Sequence, residues 1–171
     1  MIIIILLYYT IVLSKCKEFH KYFTSFIQLM TWIYNDVEYS EPDKKYEGFV
    51  YLITNLITNR KYIGKKSFWT RRKDRKTGRR KTLESNWKNY FGSCDSLIQD
   101  VKDLGKDQFR KEILYLCPHK KSMSYFETLE QFTRNVLLEE SYYNTNIEGK
   151  FFSSERENIY NLVSKNLFLK E

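Results

Sequence analysis

Two tyrosines and a dense run of cations have the types and spacing to act on a phosphodiester. Tyr51 sits in Gly48-Phe-Val-Tyr-Leu-Ile-Thr-Asn55, and Tyr62 sits in Arg60-Lys-Tyr-Ile-Gly-Lys-Lys66. Hydrolysing such a bond needs a nucleophilic water, an acceptor for its proton, a cation on the non-bridging oxygens and help for the departing alkoxide. A phenol ionises at about pH 10, so it acts as a base only where positive charge lies close by. Lys65 and Lys66 follow Tyr62 directly and offer part of that charge. Either tyrosine alone would be an ordinary packed aromatic. Together, beside those cations, they make a candidate site.

The charge distribution points to the substrate. Net charge is +8, yet the stretch from Arg60 to Lys81 holds twelve Lys or Arg against the single acid Asp74. The rest of the chain is therefore slightly acidic. A cationic surface on an otherwise acidic body fits a polyanion, most often nucleic acid. Candidate phosphate contacts are Lys65, Lys66, Arg71, Lys73, Arg75, Lys76, Arg79, Arg80 and Lys81. Three widely spaced cysteines (Cys16, Cys94, Cys117) form neither a disulfide framework nor a zinc set, and read as free thiols in a reducing compartment. His20 and His119 lie away from the tyrosines and basic run, which argues against histidine-driven chemistry.

Several elements must position these groups. Phe49 to Thr54 is a nearly all-apolar run of β-formers, as a central strand requires, and Lys61 to Gly64 is its returning partner. Asn55 to Asn59 makes the turn, with Asn59 suited to a left-handed conformation. This hairpin puts Tyr51 and Tyr62 on one sheet face. Lys73 to Lys81, with Gly78, reads as a flexible loop. Ser93-Cys-Asp95 begins a helix to Leu104, which Gly105 ends in the left-handed region. The alternation from Phe109 to Leu116 gives a third strand. Ser124 and Glu127 form a capping-box pattern, and Tyr125, Leu129, Phe132 and Val136 are an apolar stripe for the next helix. A last helix opens at Ser154, with Ile159, Leu162, Val163 and Leu167 on one side. Trp69, Trp87 and Tyr90 either stack on bases or fill the core.

The apolar run Ile2 to Leu13 is short for a bilayer span and lacks the flanks of a signal peptide. Residues 1–29 read as an extension that need not be native, with translation starting at Met30, or as a membrane-surface helix; membrane association is the less favoured reading. Residues 30–47 form a lead-in, 48–145 the domain, and 146–171 a helical tail. The fold expected is α+β, an α/β sandwich. Its small three-stranded, mainly antiparallel sheet is a hairpin plus a third strand, flanked by helices.

From Gly48 to Asn144 the chain resembles the GIY-YIG endonucleases. Phe49-Val-Tyr51 stands where that family has Gly-Ile-Tyr, and Tyr62-Ile-Gly64 is intact. Arg72 falls eight residues after Gly64, Glu130-Gln-Phe132 resembles the family's glutamate step, and Tyr143-Asn144 its terminal Tyr-Asn. Trp87…Tyr90-Phe-Gly-Ser93 and Gly105…Phe109 are similar to a SegE-like phage subgroup. The resemblance implies a DNA endonuclease, of homing or mobile-element type, in the cytoplasm of a phage-infected bacterium. It implies one divalent ion, Mg²⁺ or Mn²⁺, and no small-molecule cofactor. It further implies a catalytic set of Tyr51, Tyr62, Arg72, Glu130 and Asn144, with Glu130 on the metal and Tyr62 the main base. Glu127 is the alternative metal ligand: it shares a helix side with Glu130, but at 100° per residue it points farther from the stripe and has Ser124 to cap. Arg71 is a neighbouring phosphate contact, and Asn144 is equally a turn residue. The competing reading is a non-catalytic nucleic-acid-binding module on the same fold. Target sequence and oligomeric state are not legible.

Overall fold

A computed structural model of the chain describes residues 31–75, 77–157 and 161. The expectations for residues 1–29, and most of the final helix, fall outside them. So does Lys76. The elements in order are strands β1 (Trp32–Tyr34), β2 (Val37–Glu38), β3 (Gly48–Asn55), β4 (Lys61–Ser67), β5 (Trp69–Lys73) and β6 (Arg80–Glu84). Helix α1 (Asp95–Leu104), strand β7 (Phe109–Cys117), helix α2 (Lys120–Thr133) and the short strands β8 (Asn146–Ile147) and β9 (Phe151–Phe152) follow.

The class is α+β, but the sheet is wider than expected. It has five strands in the order β2-β1-β7-β3-β4, all antiparallel except for the β1–β7 pair. The two extra strands come from the lead-in. Asn35 and Asp36 both take positive φ, 50° and 63°, as a two-residue hairpin turn demands. Trp32 and Ile33, both buried, give β1 its hold beside β7.

Strand β3 is central and buried on both faces, and its residues alternate between two cores. Phe49, Tyr51 and Ile53 pack with Trp32, Phe68, Trp87, Phe109 and, from α1, Leu97 and Val101. Val50 and Leu52 pack with Ile63, Cys117, Val136, Leu137 and Met123 of α2. Each helix thus covers one face of the sheet. Trp87 belongs to the first core, and its indole Nε1 donates to Glu84 at 2.7 Å.

Four local expectations change. Of the stretch Lys73 to Lys81 expected as a flexible loop, Lys73, Arg80 and Lys81 are strand residues, the ends of a two-stranded ribbon in which β5 pairs with β6 from Trp69↔Glu84 to Lys73↔Arg80, separate from the main sheet. Gly105 has positive φ (94°), but its ψ of 149° lies outside the left-handed helical region. Helix α2 starts four residues before Ser124. Ser122 Oγ accepts from the His119 N–H (3.3 Å) and donates to the His119 carbonyl (2.7 Å) at its first turn. The expected apolar stripe is also the wrong face, since Tyr125, Leu129 and Phe132 are exposed while Met123 and Gln131 are buried. The inward line is 123, 127, 131. The helix packs across β4, β3 and β7, and its inward-facing positions there include the polar Glu127 and Gln131, so apolar count alone does not mark that face.

Candidate active site

Strand β4 is the last strand of the sheet, and the site is built around its open edge. Ile53 pairs with Tyr62 and Tyr51 with Gly64, so both tyrosines lie on the α1 face with ring centroids 6.1 Å apart. Lys65 pairs with Val50 and so points to the α2 face. Gly64 is where the two tyrosines close over the backbone: a Cβ there would lie 2.5 Å from the Tyr51 hydroxyl and 2.9 Å from Tyr62 Cε1. No larger residue fits.

The segment Ser141 to Asn144 runs along the first half of this edge. The Lys61 N–H donates to the Ser141 carbonyl at 2.8 Å, and the Tyr143 N–H donates to the Lys61 carbonyl at 2.7 Å. Asn144 finishes the pairing with its side chain. Its Oδ1 accepts from the Ile63 N–H at 3.0 Å, and its Nδ2 donates to the Ile63 carbonyl at 2.8 Å. Both ends of the amide are thereby spent on the backbone beside Tyr62. Tyr143 is anchored too, donating to Asp100 at 2.6 Å and accepting from Asn55 at 2.9 Å.

A cavity of about 320 Å³ opens at this edge, lined by Tyr62, Lys65, Ser93, Glu127, Asn144 and Glu148 among others. Tyr62 is half-buried, and its hydroxyl lies 3.3 Å from Ser93 Oγ. Burial raises its phenol above the ordinary value; the Ser93 hydrogen bond lowers it, while Tyr90 and Glu127 push it up again. Tyr51 is fully buried beneath it, and burial lifts its phenol well above the usual range. Lys65 Nζ sits where three side chains converge: Glu127 at 2.8 Å, Ser124 at 2.9 Å and Glu148 at 3.1 Å. Burial pulls the ammonium down, and the two carboxylates outweigh it, so its pKa is raised. Burial likewise raises the Glu127 carboxyl, and Lys65 only partly offsets this.

A second, larger cavity of about 670 Å³ adjoins the first through Lys65, and Lys66, Arg72, Lys120 and Ser124 also line it. Lys66 donates to Asn86 at 2.8 Å and stands 3.9 Å from the Tyr90 ring centre. Strand alternation separates the two adjacent arginines. Arg72 lines this cavity, while Arg71 lines a cavity on the other side of the ribbon with Thr82 and His119. The structure thus gathers Tyr62, Lys65, Glu127 and Asn144 around one cavity and sets Arg72 in the next.

It does not bring Glu130 to either. Glu130 accepts from the Tyr115 hydroxyl at 2.7 Å and from Arg134 Nε at 2.6 Å, so both its oxygens are engaged elsewhere. The geometry places the alternative, Glu127, at the cavity, because Ser124 is not the helix cap and the inward line of α2 passes through 127. Ser93, Ser124 and Glu148 were missed. Nothing local in the sequence marks them; they meet only through the edge of β4.

Can these residues hold a divalent ion? Among the described residues no cluster of three or more His, Cys, Asp or Glu has metal-binding geometry. Mg²⁺ needs fewer, because it commonly binds one or two carboxylates and keeps waters and substrate phosphate oxygens. Glu127 and Glu148 already converge on one cation, the Lys65 ammonium, and Glu127 stays under-compensated. The donor set fits one such ion.

A partly buried phenol, a lysine and two carboxylates thus meet beside a cavity lined by Lys66, Arg72 and Lys120. A family model described as "Putative endonuclease segE, GIY-YIG domain" matches residues 32–147, more than half of the chain, and the chain belongs to that GIY-YIG endonuclease family. Comparison with curated proteins and with solved structures gave no match. Among the described residues no helix is long and apolar enough to cross a membrane.

Proposed function

We propose that the protein is a metal-dependent DNA endonuclease whose working groups are Tyr62, Lys65, Glu127 and Arg72. The observation that carries this is the cavity lined by Tyr62, Lys65 and Glu127, with Lys65 also lining the cationic cavity that Arg72 lines. Glu127, with Glu148 beside it, would hold the ion, which when bound would supply Lewis acidity to the phosphate and lower the pKa of water. Lys65 then exchanges its carboxylate partners for the substrate's phosphate oxygens, and it lines both cavities already. Tyr62 would take the proton of the attacking water as its phenolate, a form that the charge of a bound ion would favour against the burial that raises its pKa, with Ser93 beside its oxygen. Arg72 and Lys66 bind the phosphate from the larger cavity, where a guanidinium matches two oxygens at once. Tyr51 is too deeply buried to touch substrate and fixes the Tyr62 ring. Asn144 fixes the strand that carries Tyr62.

The homing or mobile-element setting, and a bacterial cytoplasm, belong to this proposal through the family. Incubating supercoiled plasmid with Mg²⁺ or Mn²⁺ tests it. Nicked or linear product is expected, lost with chelator and with Tyr62→Phe. Binding without cleavage under either metal would favour the non-catalytic reading.

A further inference from the structure

The β5–β6 ribbon has a charge pattern that the hydrolytic site does not use. Seven described cations belong to it or its turn: Arg71, Arg72, Lys73, Arg75, Arg79, Arg80 and Lys81. Of these only Lys81 meets a carboxylate among the described residues, at 3.1 Å from Asp74. Among the other described Lys and Arg, seven of sixteen (Lys45, Lys65, Lys88, Arg110, Lys120, Arg134 and Arg156) lie within 4.0 Å of an acid, against one of seven in the ribbon. Beyond Thr70 both ribbon strands are exposed along their length.

The register distributes these cations over both faces. Arg72 pairs with Lys81, so both lie on the face turned to the larger cavity, with Thr70 and the exposed Leu83. Arg71, Lys73 and Arg80 lie on the opposite face with Thr82. A ribbon that merely rested on a duplex would need cations on one face. Cations on both faces suit a slot with two anionic walls. A β-layer with its side chains is about 10 Å thick. The major groove of B-DNA is about 12 Å wide and the minor groove about 6 Å. Only the major groove admits it.

We infer that the β5–β6 ribbon inserts into the major groove of duplex DNA, its two cationic faces meeting the phosphates of the two groove walls. This deepens the nuclease reading and rests on it for the polymer involved. Its root opens on the cavity that Arg72 and Lys65 line, so the groove it occupies flanks the phosphate at the hydrolytic site. The substrate is accordingly double-stranded, and the ribbon sets where along the duplex the cavity lies.

The test is a mobility-shift titration of the full chain on a short duplex and on one of its single strands, in chelator. Methyl green serves as major-groove competitor and netropsin as minor-groove competitor. The duplex is expected to bind at least about ten-fold tighter than the strand, and methyl green alone should displace the protein. The variant Arg71→Ala/Lys73→Ala/Arg80→Ala, on the face away from the cavity, should bind at least about ten-fold more weakly. Its log–log salt slope should fall by about 2.7, the value for three phosphate contacts. A thermal melt checks that it folds. Displacement by netropsin alone, no duplex preference, or an unchanged variant would each overturn the inference. Absence of cleavage with Mg²⁺ or Mn²⁺ while methyl green still competes would sink the nuclease reading and leave the ribbon standing.

Discussion

Replacing Glu127 by Gln should stop cleavage without harming the fold, and replacing Glu130 by Ala should do the reverse. The Glu127 carboxylate lies 2.8 Å from Lys65 Nζ with its side chain 14 % exposed. At an effective dielectric constant of about 20 that attraction is about 6 kcal/mol gross. Burial nevertheless holds the carboxyl above its ordinary range, so desolvation exceeds what Lys65 returns. The folded state binds the proton more tightly than the unfolded chain. Stability credited to Glu127 therefore falls as pH rises through that raised pKa. A neutral Gln keeps the shape and removes that desolvation cost, and Lys65 keeps Glu148 as its partner, so stability should stay within about 1 kcal/mol of wild type. Plasmid nicking should fall by about 10²–10³-fold, as when a group acting on the transition state is lost. Glu130→Ala breaks the bonds to Tyr115 and Arg134. It should cost about 2 kcal/mol, or about 5 °C, with nicking kept within a few-fold. Nicking gels and melts on the two variants decide the matter. If Glu130→Ala abolished nicking while Glu127→Gln spared it, the assignment of the carboxylate would be wrong.

Tyr62→Phe should lower nicking at least about 100-fold with little change in melting, because the hydroxyl's hydrogen bond to Ser93 is long at 3.3 Å. Gly64→Ala should disturb both tyrosines at once, seen as a lower melting temperature together with lost activity, since its Cβ meets the Tyr51 hydroxyl. Asn144→Ala should cost about 2 kcal/mol by leaving the Ile63 N–H and carbonyl unpaired, and hydrogen exchange at the Ile63 amide should speed up. Lys111 is fully buried beside the Trp32 and Phe91 rings, and burial pushes its ammonium down to about 8. Between that value and the unfolded 10.5 the unfolded chain holds more protons, so wild-type stability gains from rising pH there. Melts across that window should lose this gain in Lys111→Met.

Much of the fold could be read from periodicity alone. The hairpin, the shared face of Tyr51 and Tyr62, and the left-handed Asn59 (φ 57°) follow from strand alternation and turn chemistry, both of which act over a few residues. The third strand and the helix ending at Leu104 were legible for the same reason. The two-stranded lead-in was legible in principle, because Asn35-Asp36 between β-formers is a hairpin signal. The ribbon was harder. Its cations imitate a solvated loop, and only pairing across the turn distinguishes the two.

The amino-acid order by itself determined which residue types are present, which sheet face each strand residue takes, and that the cations are concentrated beside Tyr62. Which strand ends the sheet is a long-range matter, and it decided the site. Because β4 lies at the margin, Tyr62 on the α1 face and Glu127 reaching in from α2 meet around it, and Lys65 bridges to the neighbouring cavity. The same geometry turns residue 127 of α2 inward and gives residue 130 to Tyr115. A helix's inward face is fixed by what it packs on, not by its own apolar count.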